Sequence, residues 1–177
     1  MIVSETDRLV LRHLTPDDAP ELFRIYSDPG TLKFMGGGPA SQDEVREGID
    51  NHIRSYYDER GFGLWGTVEK NSGRLIGRCG ILYQDINGKV DAELAYLLDR
   101  STWRKGFATE AANEIVRLAG EKLGFKRMVA VIHPDNLGSI RVAEKCGFEL
   151  ETMVDDFKDF GNVLLYSRGL SPQNTAN

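Results

Sequence analysis

The 177-residue sequence has little of what would hold a chain together by covalent or metal cross-links. It contains two cysteines, Cys79 and Cys146, and three histidines, His13, His52 and His133. Two cysteines are too few for a disulfide scaffold, and neither residue type falls at a metal-ligand spacing, so no metal is expected. No apolar run approaches the ~20 residues that span a bilayer. The opening residues carry Glu5, Asp7 and Arg8 among the aliphatics, which is not the pattern of a secretory signal. No membrane partner is therefore expected, and a reducing cytoplasm is the predicted compartment. Excess positive charge is also missing: 22 Lys and Arg against 27 Asp and Glu give a formal net charge of −5, which disfavours nucleic-acid binding. Repeats and low-complexity tracts are absent. What remains, 41% hydrophobic and 28% charged residues, is the balance of a single globular domain.

The local patterns divide the chain into short strands and helices. Period-two alternation over 8–13 predicts a strand with Leu9 and Leu11 on one face. Thr15 and Pro16 then cap a short helix through Leu22, Phe23, Ile25 and Tyr26. A loop follows, bounded by Asp28-Pro29-Gly30 and Gly36-Gly37-Gly38-Pro39 and carrying Leu32, Phe34 and Met35. A helix capped by Ser41 runs to about Tyr57. Residues 62–69, 75–83 and 90–98 read as an antiparallel meander with turns at Asn71-Ser-Gly73 and 85–89. Residues 107–122 form an amphipathic helix with Ala111, Ile115, Leu118 and Ala119 inward, 127–133 a strand, and 136–146 a helix stopped by Gly147. Strands at 148–154 and 163–167 complete the chain before a polar tail, 171–177. Meander, helix, strand, helix, strand predicts an α+β domain, a mixed sheet with helices on its faces.

The stretch most informative about chemistry is Asp99-Arg-Ser-Thr-Trp103-Arg-Lys-Gly106-Phe-Ala108-Thr-Glu-Ala111, a strand-loop-helix junction. Amides at a helix start have no internal partner and carry partial positive charge, so a loop free of bulky side chains there can hold a pyrophosphate. Gly106 permits close approach, Ala108 keeps the first turn open, and Arg104 and Lys105 add charge. A tight turn with a solvated basic pair has the same residues, so the pattern alone leaves both readings open. Asn136 and Ser139, one helical turn apart, are either amide and hydroxyl groups for a ligand or a helix cap with a surface serine.

Four segments in order carry a resemblance: Thr6-Asp-Arg-Leu-Val-Leu-Arg12, Ala92-Glu-Leu-Ala-Tyr-Leu-Leu98, Trp103 to Ala111, and His133-Pro-Asp-Asn-Leu-Gly-Ser139 running to Glu144-Lys-Cys-Gly-Phe148. Together they resemble the GCN5-related N-acetyltransferase (GNAT) superfamily, in particular its ribosomal-protein alanine acetyltransferase-like branch, over nearly the whole chain. The resemblance implies one N-acetyltransferase domain over 1–170. Its mostly antiparallel sheet of about six to seven strands would be splayed between two parallel strands, 90–98 and 127–133, with acetyl-CoA in the gap. It places the pyrophosphate on the amides of Arg104, Lys105, Gly106, Phe107, Ala108 and Thr109 and the pantetheine arm at Asn136. The oxyanion contact falls near Leu97 or Leu98.

The same resemblance marks Glu93 as the base that deprotonates the acceptor amine, although alternation alone does not decide which face of its strand meets the acceptor. The Tyr that many relatives use to protonate the thiolate is replaced here by Ala143, which leaves Ser139 as the nearest donor. Cys146, at a helix C-terminus, is disfavoured as a nucleophile, so direct attack in a ternary complex is the implied mechanism. Phe34, Met35, Trp65 and Tyr83 are the candidate acceptor contacts. The acceptor is a primary amine, either a protein N-terminus or a small molecule such as a polyamine, an amino acid or an antibiotic. A silent acyl-CoA-binding module is the third reading, and the chain is expected as a monomer or homodimer.

Overall fold

Leu9 and Leu11, both fully buried, seat the second strand of the sheet against a helix, and the other strands extend that pattern outward. The computed structural model describes residues 1–35 and 37–170; the predicted tail 171–177 lies outside the described residues. Eight strands are arranged in the order β1-β2-β3-β4-β5-β6-β8-β7. They are β1 (Ile2–Glu5), β2 (Leu9–Arg12), β3 (Leu64–Glu69), β4 (Leu75–Ile86), β5 (Lys89–Leu98), β6 (Arg127–Ile132), β7 (Glu149–Val154) and β8 (Val163–Gly169). The helices are α1 (Ala19–Tyr26), α2 (Pro29–Leu32), α3 (Gln42–His52), α4 (Phe107–Glu121) and α5 (Leu137–Lys145).

The predicted α+β architecture is present, with one strand more than the six to seven expected. The addition, β1, is a four-residue edge strand with Ile2 exposed. Its sequence carries no burial signal because pairing with β2, not packing, defines it. Two other local differences follow from tertiary contacts. The helix expected over 41–57 ends as an α-helix at His52 and continues as a π-helical turn, Ile53–Asp58. There the Tyr57 hydroxyl accepts from the Leu14 amide at 3.2 Å and donates to the Leu64 carbonyl. The loop before α3 contains the single turn α2, whose Asp28 cap accepts from the Gly30 amide at 2.7 Å.

Two layers cover the sheet. On one face α4 and α5 bury Ala111, Ile115, Leu118, Ala119 and Ala143 against Cys79, Ile81, Leu94, Met128 and Ala130. On the other, α1 and α3 pack Leu22, Ile25, Val45 and Ile49 on Leu75 and Leu97, while Val129, Val154, Phe157 and Val163 form a separate cluster further along. The floor between those two clusters lacks a helix, and that is where a cavity opens.

An ion pair fixes α1 to the sheet. Arg12 Nη1 and Nη2 donate to Asp18 at 2.8 and 2.7 Å, and the same carboxylate accepts from the Thr15 amide at 2.9 Å. Burial alone would raise the Asp18 pKa, but the hydrogen bonds from Arg12 and Thr15 prevail and hold it below the usual value. A carboxylate whose pKa is lowered on folding contributes stability above its unfolded pKa and loses it as pH falls through the folded value. Asp18→Ala is therefore expected to cost about 1.5–3 kcal/mol at pH 7. Urea titrations should show the difference between variant and wild type shrinking below pH 4; a difference independent of pH would refute the ionic origin.

Candidate active site

All neighbouring strands are antiparallel except β5 and β6, which run parallel and meet at a single register pair, Glu93↔Val129. Beyond that pair they splay, so the C-terminal ends of both strands flank a gap. The starts of α4 and α5 open onto it; the first-turn amides of α4 lack helical partners and carry partial positive charge, whereas at α5 those of Leu137 and Ser139 are taken by the Asp135 carbonyl and Asn136 Oδ1. The splay also exposes backbone groups that a continuous sheet would use. The Asp99 amide bonds back to Ile76 at 2.7 Å, whereas the Leu98 carbonyl accepts from the Trp103 indole at 2.9 Å. Ladder alternation then turns the amides of Tyr96 and Leu98 toward the gap and that of Leu97 toward β4.

The loop before α4 has the backbone its sequence calls for. Gly106 caps the helix with φ +83°, and Arg104 is also left-handed at φ 63°. Side chains of Arg104 and Lys105 are exposed, while Phe107 is buried, so Phe107 presents only its amide. The opening motif of the chain braces this loop: Arg8 Nη1 donates to the Lys105 carbonyl at 2.9 Å, and its guanidinium lies 4.6 Å from the Phe107 ring centroid. Arg8 also pairs with Glu110 at 2.6 Å, to which Thr6 Oγ1 donates at 2.5 Å. Across the gap, Asn136 caps α5 by accepting from the Ser139 amide at 3.1 Å. Its oxygen is thus engaged and its NH₂ remains as a donor, so the cap and ligand readings are compatible.

On the face of α1 and α3 lies a cavity of about 260 Å³. Its wall includes Phe34, Met35, Glu93 and Leu97, which the sequence had singled out, and Arg78, Leu82, Gln84, Val131, His133, Phe157 and Phe160, which it had not. Phe34 and His133 close one side with ring centroids 5.2 Å apart. His133 Nδ1 accepts from the Asp135 amide at 3.1 Å. The 3-10 segment Lys158–Phe160 brings in aromatic rings from between β7 and β8, and Lys158 is tied down by a 2.8 Å bond to Gln84.

Glu93 pairs across the ladder with Leu82, another cavity residue, and this settles its face. Burial pushes its carboxyl up to about 7, against smaller opposing effects of Lys158 and the Val131 backbone N–H. Val131 stands two residues past the β5–β6 pair, so β5 gives it no partner, while on its other side it pairs with Leu165 of β8. On the opposite face, Tyr96 donates from its hydroxyl to the Ser139 carbonyl at 3.1 Å. Burial raises the Tyr96 pKa, with the Ser139 side chain pulling the other way. Both cysteines are buried, and burial raises their thiols, that of Cys146 to about 11.

Trp65 and Tyr83 are not brought to this cavity. Trp65 is 2% exposed and pairs with Cys79 in the core beneath α4, and Tyr83 packs edge-on with Phe62 and Phe125 on that same face. Strand alternation decides this: cavity residues on β4 are even-numbered, Arg78, Leu82 and Gln84, and Tyr83 points the other way. Leu98 is likewise buried under α4, leaving only its backbone for the gap. Among the described residues no group of three or more His, Cys, Asp or Glu is placed to hold a metal, and no helix is long and apolar enough to cross a membrane.

Comparison with known proteins gives the same frame. YkkB of Bacillus subtilis (strain 168) is 34% identical over 145 residues, 80% of this chain and 82% of the relative. A GNAT-family acetyltransferase from Bacillus anthracis superposes with a TM-score of 0.80 at 19% identity, covering 96% of this chain and 98% of its own. The ribosomal L7/L12 α-N-protein acetyltransferase RimL, solved with coenzyme A, gives a TM-score of 0.77 at 19% identity, with 96% and 98% covered. These two structural likenesses describe the fold. Residues 8–149 match the acetyltransferase (GNAT) domain model, and the chain belongs to that family of acetyltransferases.

Proposed function

We propose that this acetyltransferase moves an acetyl group from acetyl-CoA to a primary amine by direct attack in a ternary complex. The observation that carries the reading is the splay after Glu93↔Val129, with a half-buried carboxyl on one face and two helix N-termini at the opening. The residues present suit coenzyme A. Amides from Arg104 to Thr109, with the exposed Arg104 and Lys105, would hold the pyrophosphate. The NH₂ of Asn136 would donate to the pantetheine arm, and the RimL complex shows a protein of this fold with coenzyme A bound.

Acetyl-CoA supplies an activated acyl group with a thiol leaving group. Glu93, ionised, takes a proton from the acceptor ammonium and so releases the nucleophilic lone pair. The Tyr96 and Leu98 amides face the place where negative charge develops on the carbonyl oxygen. As the new C–N bond forms and the C–S bond breaks, the Ser139 hydroxyl donates a hydrogen bond to the departing sulfur. Ala143, where many relatives carry Tyr, is fully buried and offers no proton. Enclosed cysteines with raised thiols favour direct transfer over an acyl-cysteine.

The test is release of free thiol from acetyl-CoA in the presence of a panel of small amines and peptides. Amine-dependent release supports the reading, and none with any amine, in a protein that acetyl-CoA nonetheless stabilises, would favour a silent binding module. Arg8→Ala removes the brace from the Lys105 carbonyl and is expected to raise KM for acetyl-CoA about 3- to 10-fold with kcat retained, the scale of one hydrogen bond. A fall in kcat at constant KM would contradict that positioning role.

A further inference from the structure

Arg78 has no part in the chemistry above, yet it shares the cavity with Glu93. It projects half-buried from β4 on the side of α1 and α3. Among the described residues, ion pairs engage Arg8, Arg12, Arg24, Arg74, Arg100, Arg117 and Arg127 but not Arg78. Nor does a protein acceptor take a hydrogen bond from it there. Its neighbour is a ring: the guanidinium carbon stands 5.3 Å from the Tyr26 centroid. The hydroxyl of that tyrosine is itself buried without a hydrogen-bond partner.

The planar fork of N–H donors, lying over the tyrosine ring, is thus left in the cavity wall without a hydrogen-bond acceptor. Leaving such groups unpaired is costly, and a carboxylate satisfies them by accepting two parallel N–H bonds from the fork. The registry places this fork relative to the base. Arg78 pairs with Leu97 and Leu82 with Glu93, so the two functional side chains start four residues apart on one face, roughly 13 Å at 3.3 Å per residue. Ala95, small and cavity-lining, lies between them on β5. The long arginine stem takes up part of that span. Glu93 is the carboxylate of the cavity, so no acidic cluster awaits a polycation.

We propose that the acceptor is a small amino-carboxylate: its carboxylate is held by Arg78, its amine is presented to Glu93, and its apolar part lies on Phe34, Met35 and Phe157. The proposal rests on the acetyltransferase reading and narrows its acceptor. A cavity of about 260 Å³ suits a molecule of amino-acid size.

The experiment compares, in the wild-type enzyme, amines that differ only in the carboxylate. Leucine is set against 3-methylbutylamine and phenylalanine against phenethylamine, together with β- and γ-amino acids to vary the spacing. At one or more spacings kcat/KM should favour the carboxylate about 10- to 100-fold. In Arg78→Gln that preference should collapse toward unity, and Arg78→Lys should retain part of it. Acetyl-CoA-induced stabilisation, read on the same samples, separates two failures. Absence of stabilisation and of any thiol release defeats the underlying reading. Stabilisation with amines acetylated equally well whether or not they carry a carboxylate overturns the Arg78 proposal alone, and the wild-type comparison decides this even if the variants fold poorly.

Discussion

Glu93→Gln is expected to lower kcat about 10²- to 10⁴-fold, the range a positioned base supplies, while acetyl-CoA still raises the melting temperature. The pH dependence makes this specific. With the carboxyl raised to about 7 by burial, the wild-type rate should climb through neutral pH as Glu93 ionises and level off above it. The variant should lose that ascending limb. Stability should run the other way. A carboxyl whose pKa is higher in the folded than in the unfolded chain is protonated in the one and ionised in the other between about 4.3 and 7. Folding therefore loses stability as pH rises through that window, and the loss is complete above it. Glu93→Gln should consequently melt higher than wild type at pH 8 and show little difference at pH 4. Activity measured with the best amine across pH 5.5–9, beside calorimetry from pH 4 to pH 8, checks both; an intact limb in the variant would remove Glu93 as the base.

Gly106→Glu should abolish detectable stabilisation by acetyl-CoA and raise its KM at least 100-fold. Three effects combine at this position. Gly106 sits at φ +83°, where an L side chain is strained by about 1–2 kcal/mol. An added Cβ would meet Arg8 Nη2 at 3.3 Å, disturbing the brace on the loop. On the proposed reading a carboxylate would also face the phosphates of acetyl-CoA. Wild-type protein at 100 times the dissociation constant should gain about 2.7 kcal/mol from the ligand. Scanning calorimetry with and without acetyl-CoA reads the difference directly, and undiminished stabilisation of the variant would take the cofactor away from this loop. Loss of the apo transition itself is not expected, because Gly106 is exposed and no backbone atom crowds it.

Much of this architecture was legible in the residues. Apolar periodicity placed the helices and the meander to within a few residues, since packing on one face of a strand or helix leaves a pattern of period 2 or 3.6. The left-handed turn before α4 was equally visible, because such a cap and an open first turn call for Gly106 and Ala108 locally, although the pattern left open whether the turn holds a phosphate. The face of Glu93 was not, and neither was the displacement of Trp65 and Tyr83 to the α4 side. Alternation along a strand separates two sets of residues without saying which set meets solvent, core or cavity.

What the sequence determined by itself is therefore local: the elements, the glycine turn at Gly106, and membership in a family whose motifs recur in order. Tertiary structure decided what lies opposite what. Registry of β4 on β5 carried Glu93 and Arg78 to one cavity, and the loop between β7 and β8 added Phe157 and Phe160 to its wall. The raised carboxyl of Glu93 and the unpaired guanidinium of Arg78 are properties of that enclosure. Burial and charge pairing are set by neighbours distant in the chain, and no local pattern encodes them.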